Sequence, residues 1–312
     1  MHRIGYLLTD GFQMLALGTQ SVFEFANAVL EQPYYVVEQY AMQAGGVRSS
    51  MGVTVSCKAI GEAERLDTLV VLGVTDPLGN PTPAELVDFL RHAAIWRRVA
   101  GICTGAFPLA EAGLLDGRRV TTHWAYGRTL QQRHPGASVE QDRIYMVDGP
   151  VWTSAGMTAG LDLALALVEK DLGNEVARTV AHKMVMHQRR SGGQTQHSEL
   201  LQLSPKSDRI QNVLSYARKN LHRAVSVEEL AENANLSPRQ FSRVFTAETG
   251  QSPAKALEGL RLEAARLMIE QSRHPLEIIA RETGFRDRRH LREAFVRGFG
   301  VAPQSLRREA RV

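Results

Sequence analysis

The chain has 312 residues, 44% of them hydrophobic and 22% charged, with a formal net charge of +4; that length suits about two ordinary domains, each able to bury a core without staples. Its two cysteines, Cys57 and Cys103, give neither a disulfide framework nor paired metal-ligand spacing. The start Met1-His2-Arg3-Ile4 enters a strand-like run rather than a signal peptide, and no apolar run reaches the ~18 residues of a membrane span, so a reducing, cytoplasmic setting with no membrane, metal or other cofactor is expected.

From the N-terminus, short apolar runs at Ile4–Leu8, Tyr35–Ala41, Leu69–Leu72, Val99–Ile102, Val120–Thr122 and Val151–Thr153 read as strands. The spacing of apolar residues predicts helices over Thr19–Val29, Ala84–Ala93, Thr104–Ala112, Thr158–Leu172 and Glu175–His187. Apolar strands alternating with helices predict an α/β domain, a mostly parallel sheet flanked by helices. The stretch VAGICTGAFPLAEAGLLDG sets Cys103 and Thr104 at the turn from a strand into a helix, at the carboxyl edge where α/β folds bind ligands. Free N–H groups and the dipole of the new helix favour a thiolate, which predicts a lowered Cys103 pKa. His123, after the next strand, and Asp10, before Gly11, are placed at the same edge, and a Cys–His pair is the minimum for nucleophilic catalysis. The plainer roles are a helix-capping His123, a turn residue at Asp10 and a buried strand-edge thiol at Cys57.

Between Gln188 and Ser207 the composition turns to Gln, Ser, Gly192-Gly193 and Ser204-Pro205, the makings of a flexible connection. The expected organisation is therefore an α/β domain over 1–187, a linker over 188–207 and an all-α domain over 208–312. Charge changes at the same place: Lys206–Val312 carries 20 Lys and Arg against 13 Asp and Glu, which is +7 and leaves −3 for the rest. A basic back half suits a polyanion, with a solvated basic surface as the plain alternative.

That back half contains a repeat. VEELAENANLSPRQFSRVFTAETGQSP begins at Val227, and LEIIARETGFRDRRHLREAFVRGFGVAP begins at Leu276. Phe241, Phe245, Gly250 and Pro253 match Leu291, Phe295, Gly300 and Pro303, each pair 50 residues apart. Both copies read as helix-turn-helix units. Ser226 caps the first helix with Glu229 three residues on, as in a capping box. Ser237 caps the second helix, Pro238 takes its first position and Gly250 ends it. In the second copy Gly284 and Phe285 make the turn and Asp287 caps. Outward faces carry Arg239, Ser242, Arg243 and Thr246, then Arg288, Arg289 and Arg292 beside Glu293. Arginines and small polar residues on a helix's free face suit the major groove of double-stranded DNA.

On the motif GFRDRRHLREAFVRGFGVAP and the connecting stretch RLEAARLMI, residues 208 to about 308 resemble the AraC/XylS family of transcription regulators. The resemblance implies two recognition helices entering successive major-groove segments about 34 Å apart on one face of the duplex. On TDGFQ, GICTGAF and THW, residues 3–187 resemble the class I glutamine amidotransferase-like, PfpI-like domain. The pairing is similar to regulators of amino-acid, betaine or carnitine use. It implies a homodimeric regulator, expected to be an activator working with RNA polymerase, that answers a small nitrogenous effector held near Asp10, Cys103, Thr104 and His123. PfpI-like enzymes carry an acidic residue after the first strand, where this chain has Ala16, and two glycines where it has Gly73-Val74. A non-enzymatic regulator is therefore expected, against the alternative of a cysteine-dependent hydrolase or amidase with an appended DNA-binding domain.

Overall fold

A computed structural model describes the chain apart from residues 64, 93–95, 187–189, 191, 193–195, 197–202, 204–206, 224 and 310–312. The chain divides into two compact units, Met1–Gln196 and His197–Val312. Of the stretch 188–207, Arg190, Gly192 and Gln196 fall in the first unit, and Leu203 is fully buried in the core of the second. Most of the remainder of that stretch lies outside the described residues.

In the first unit the strands, among the described residues, are β1 (His2–Leu7), β2 (Tyr35–Ala41), β3 (Gly45–Arg48), β4 (Thr54–Ala59), β5 (Thr68–Leu72), β6 (Arg98–Ile102), β7 (Arg119–Val120), β8 (Ser138–Val139), β9 (Tyr145–Asp148) and β10 (Val151–Ser154). Eight of them form one sheet in the order β3-β4-β2-β1-β5-β6-β10-β9. From β4 to β10 every pairing is parallel, and the edge strands β3 and β9 run antiparallel to their neighbours. Side chains alternate across the central strands. Ile4, Tyr6, Val70 and Leu72 enter the core under helices Gln20–Leu30, Met157–Leu172 and Asn174–Lys183. Leu7, Leu69 and Val71 enter the opposite core, under Ala84–Arg91, Ala106–Glu111 and Trp124–Arg133. Burial on both faces explains why these strands read as unbroken apolar runs.

Three expected elements are corrected. Val120–Thr122 is not a strand of the main sheet: Arg119–Val120 is β7 and pairs with β8 alone. Side chains divert the chain beyond it. Thr121 N–H donates to Thr153 Oγ1 at 2.8 Å, and Thr122 Oγ1 donates to the Cys103 carbonyl at 2.9 Å. The helix expected over Thr104–Ala112 begins as a 3-10 turn, Cys103–Gly105, and becomes α-helical at Ala106–Glu111. The helix expected to reach His187 runs Asn174–Lys183, and His187 lies outside the described residues.

At the amino ends of β1, β5 and β6 a buried polar cluster ties the sheet to the end of helix Met157–Leu172. Arg98 is 4% exposed and grips the fully buried Asp171 carboxylate with both terminal nitrogens, at 2.9 and 2.7 Å. The same guanidinium donates to His2 Nε2 at 2.8 Å and to Thr68 Oγ1 at 3.0 Å. Burial and Arg98 hold the His2 pKa below its ordinary value against the raising effect of Asp171, so the ring accepts as a neutral imidazole.

The second unit is helical. Among the described residues its helices are Asp208–Lys219, Val227–Asn233, Pro238–Thr249, Pro253–Gln271, Leu276–Glu282, Arg288–Phe299 and Pro303–Glu309. It has two cores. One gathers Leu230, Phe241, Phe245 and Leu260, and the other gathers Ile279, Leu291, Phe295 and Leu306. Helix Pro253–Gln271 supplies Leu257 and Leu260 to the first and Leu262, Ala265 and Ile269 to the second, and so joins the two halves.

Candidate nucleic-acid interface and sheet-edge site

Each half of the second unit is a helix-turn-helix built by its own caps. Ser237 Oγ accepts from Gln240 N–H and the Gln240 side chain accepts from Ser237 N–H, a complete capping box, with Pro238 in the first turn. Asp287 Oδ1 accepts from His290 N–H at 2.7 Å. Gly250 and Gly300 close the two recognition helices at φ 75° and 70°, the left-handed geometry that glycine adopts without strain. The box expected at Ser226 is half made. Ser226 Oγ accepts from Glu229 N–H, but the Glu229 carboxylate turns to Tyr216 OH at 2.6 Å and Arg223 at 3.3 Å.

The repeat holds two registers. Recognition helices match 50 residues apart, whereas Leu230, Ala231 and Leu236 of the first copy correspond to Ile279, Ala280 and Phe285, 49 apart. The turn bonds confirm this: Leu236 N–H donates to Ala231 O, as Phe285 N–H does to Ala280 O. The extra residue is Arg286, which pairs with Asp287 at 3.2 Å. Gly284 is required at the second turn, because its φ is +74° and a Cβ there would stand 2.2 Å from Leu221 O.

All eight residues expected to meet DNA lie on the free faces of the recognition helices, with Ser242 half-buried and the others exposed. The faces differ in electrostatics. Arg239 and Arg243 have no acidic partner among the described residues. On the second helix Arg288 is bound to Glu277 at 3.2 Å and Arg289 to Glu293 at 2.8 Å, and Arg292 has no acidic partner among the described residues. Arg289 holds the Glu293 carboxyl below the usual range, so that pair stays ionised at neutral pH. Sequence reasoning missed Glu277, which lies eleven residues before its partner on another helix. Beside these groups a pocket of about 500 Å³ is lined by Glu277, Arg288, Arg292, Pro303 and Gln304.

At the carboxyl edge of the first unit's sheet, Cys103 adopts φ +57°, a left-handed conformation that costs a non-glycine residue roughly 1–2 kcal/mol. Two close approaches hold it there. A Cβ on Gly73 would lie 2.1 Å from Thr104 Oγ1, and one on Gly105 would lie 2.2 Å from Val71 O. Thr104 is buried and its hydroxyl donates to Val74 O. The expected lowering of the Cys103 pKa is corrected. Burial pushes the thiol up to about 11, outweighing hydrogen bonds from the Thr104 backbone, the Gln13 side chain and the Thr104 hydroxyl. The helix that follows is six residues long, too short for its dipole to overcome the loss of water.

Gln13 is the neighbour that sequence reasoning overlooked, since attention fell on Ala16, which is fully buried. Gln13 Oε1 and Ser154 Oγ are buried without a hydrogen-bond partner among the described residues. His123 caps helix Trp124–Arg133 by accepting from Ala125 N–H at 3.3 Å. Asp10 is exposed, and its carboxylate accepts from Arg48 N–H at 3.1 Å, binding the loop to β3. Among the described residues there is no cluster of three or more His, Cys, Asp or Glu able to hold a metal, and no helix long and apolar enough to cross a membrane.

Comparison with known proteins gives a consistent result for both units. Residues 14–170 match the DJ-1/PfpI family and residues 230–309 match a helix-turn-helix domain family. The HTH-type transcriptional regulator GlxA of Rhizobium meliloti (strain 1021) is 31% identical over 99% of this chain and 97% of its own length. The HTH-type transcriptional regulator CdhR of Pseudomonas aeruginosa is 30% identical over 96% of this chain and 92% of its own. A solved structure of a THiJ/PfpI family protein from Pseudomonas syringae superposes with a TM-score of 0.54 at 25% identity, covering 61% of this chain and 76% of that one.

Proposed function

The chain belongs to the HTH-type transcription regulators that join a DJ-1/PfpI domain to an AraC-type helix-turn-helix domain, and from that premise we propose how it reads DNA and what governs it. Arg239, Ser242, Arg243 and Thr246 read base edges through the first recognition helix. Arg288, Arg289 and Arg292, moderated by Glu277 and Glu293, bind chiefly backbone phosphates through the second. The observation that carries this reading is the contrast in partners: among the described residues neither Arg239 nor Arg243 is in an ion pair, whereas two of the three arginines on the second helix are, and an unpaired arginine approaches a base without first breaking an ion pair. The chain acts as a homodimeric, cytoplasmic activator that engages RNA polymerase at the promoter. A selection of duplexes from a random pool by the full chain, at two salt concentrations, tests it. Enrichment of a sequence with fixed bases in one half and tolerant bases in the other is expected, and recovery of unselected sequence would overturn it.

The first unit responds to a small nitrogenous metabolite, an amino acid, a betaine or a related compound, at the Cys103 edge. The unpartnered Gln13 Oε1 and Ser154 Oγ support this, because a buried polar atom without a partner costs free energy that a ligand removes. The unit is not an enzyme. Burial pushes the Cys103 thiol up to about 11, which keeps it protonated at neutral pH, and Ala16 supplies no carboxylate to help form the thiolate. Asp10, Thr104 and His123 complete the effector's contacts at that edge. Thermal-shift screening of the full chain against nitrogenous metabolites checks this, with stabilisation by several kcal/mol expected for a ligand far above its dissociation constant.

A further inference from the structure

After the last helix of the first unit, three described residues fasten the chain back onto that unit. Arg190 N–H and Nε donate to the fully buried Asp162 carboxylate at 2.8 and 2.9 Å. Gly192 passes so near Tyr145 that a Cβ would lie 2.5 Å from its carbonyl oxygen. Gln196 makes the most specific contact. Its Nε2 donates to Thr122 O at 2.9 Å and Gln141 O at 3.0 Å, with Thr121 Oγ1 at 3.4 Å. Its Oε1 accepts from Trp124 N–H, in the first turn of a ten-residue helix, at 2.8 Å, and its own N–H donates to Asp142 at 2.7 Å.

We propose that the Thr121–Trp124 loop together with Gln141 is a binding site for a primary carboxamide, that Gln196 is its resident occupant, and that this occupancy latches the chain leading to the second unit. Two carbonyl acceptors and one backbone donor match both N–H groups and the carbonyl of an amide. A carboxylate would set an oxygen against the two carbonyls, and a methyl group would leave all three polar groups unmet. The loop also carries His123, and Thr122 bonds the Cys103 carbonyl, so a change at the sheet edge reaches the latch through one residue. A free carboxamide competes with Gln196 for the same three groups and releases the chain when it wins.

The test uses the full chain and does not depend on the DNA reading. Hydrogen exchange at the Trp124 amide is measured in the wild type and in Gln196→Ala, with circular dichroism as a check on folding. Exchange about tenfold faster is expected in the variant. Propionamide, added well above the millimolar effective concentration of a short tether, should restore protection in the variant, whereas propionate should not. Proteolysis between 187 and 207 should be faster in the variant, because cleavage follows the open population. Unchanged Trp124 exchange, or unchanged cleavage, overturns the latch. Rescue by neither compound, or equally by both, overturns the carboxamide site.

Discussion

Two local effects oppose each other at Cys103. A strand-to-helix turn offers N–H groups that favour a thiolate, and close packing removes the water that a thiolate needs; packing prevails and the pKa reaches about 11. The linkage has a definite sign. An unfolded chain releases this proton near pH 9, and the folded chain keeps it until about 11, so stability is complete below pH 9 and falls across that window, by at most ~3 kcal/mol. Denaturation midpoints of wild type and Cys103→Ser, followed from pH 7 to 11, should diverge in that window with the wild type losing more. The serine variant should keep DNA binding and its response to effector; an amidase or esterase activity lost with the thiol would reverse the non-enzymatic reading. At Arg243 the expectation concerns bases. Arg243→Ala should relax preference at one or two base pairs, worth about 1–3 kcal/mol of discrimination, in binding to specific and scrambled duplexes. An equal loss on both duplexes would mean that Arg243 touches phosphate alone. Cys103's position at a turn was legible because Gly and small residues flank it in VAGICTGAF. Its protonation was not, since burial depends on Gln13 and the Gly73–Thr104 contact, which distant parts of the chain bring to it.

Among elements, the two recognition helices share a scaffold and differ in charge. Apolar spacing, serine and aspartate caps and terminal glycines are local signals, so both helices were readable from the chain. The Arg288–Glu277 pair joins two helices and the Arg289–Glu293 pair depends on rotamers, so neither moderation of charge was fully readable. Bound to Arg289, the Glu293 carboxylate acts first on its neighbour. Replacing Glu277 and Glu293 by glutamine should tighten binding to scrambled DNA and steepen its salt dependence by about one unit for each arginine released. An unaltered salt slope would show that these arginines stay clear of phosphate. The strands that the sequence does not announce, β3, β4, β8 and β9, have mixed or exposed faces, and their pairing partners decide them.

At the scale of the molecule, the parallel sheet and the paired helix-turn-helix units were expected from alternation and repetition. The limits of the units were harder, because single residues set them. Leu203 lies within a polar stretch yet is fully buried in the core of the second unit. A fragment covering 197–312 should therefore fold, show helical circular dichroism and bind DNA. A fragment beginning at Pro205 should be weaker by about 2–5 kcal/mol, the usual cost of losing a buried leucine. Equal melting temperatures for the two would remove Leu203 from the core.

The double register of the repeat has a consequence for how such a protein changes over generations. Residues 237–253 and 287–303 are segments of equal length, each with its own cap, buried aromatic and closing glycine, and the odd residue Arg286 lies just outside them. Either segment is thus an interchangeable cartridge. Recombination that exchanges or copies it redirects the protein to new promoters while each turn keeps its own residues and each core receives the matching pair, Leu291 and Phe295 for Phe241 and Phe245 or the reverse, so the range of genes controlled can shift in one event without passing through an unfolded intermediate lineage.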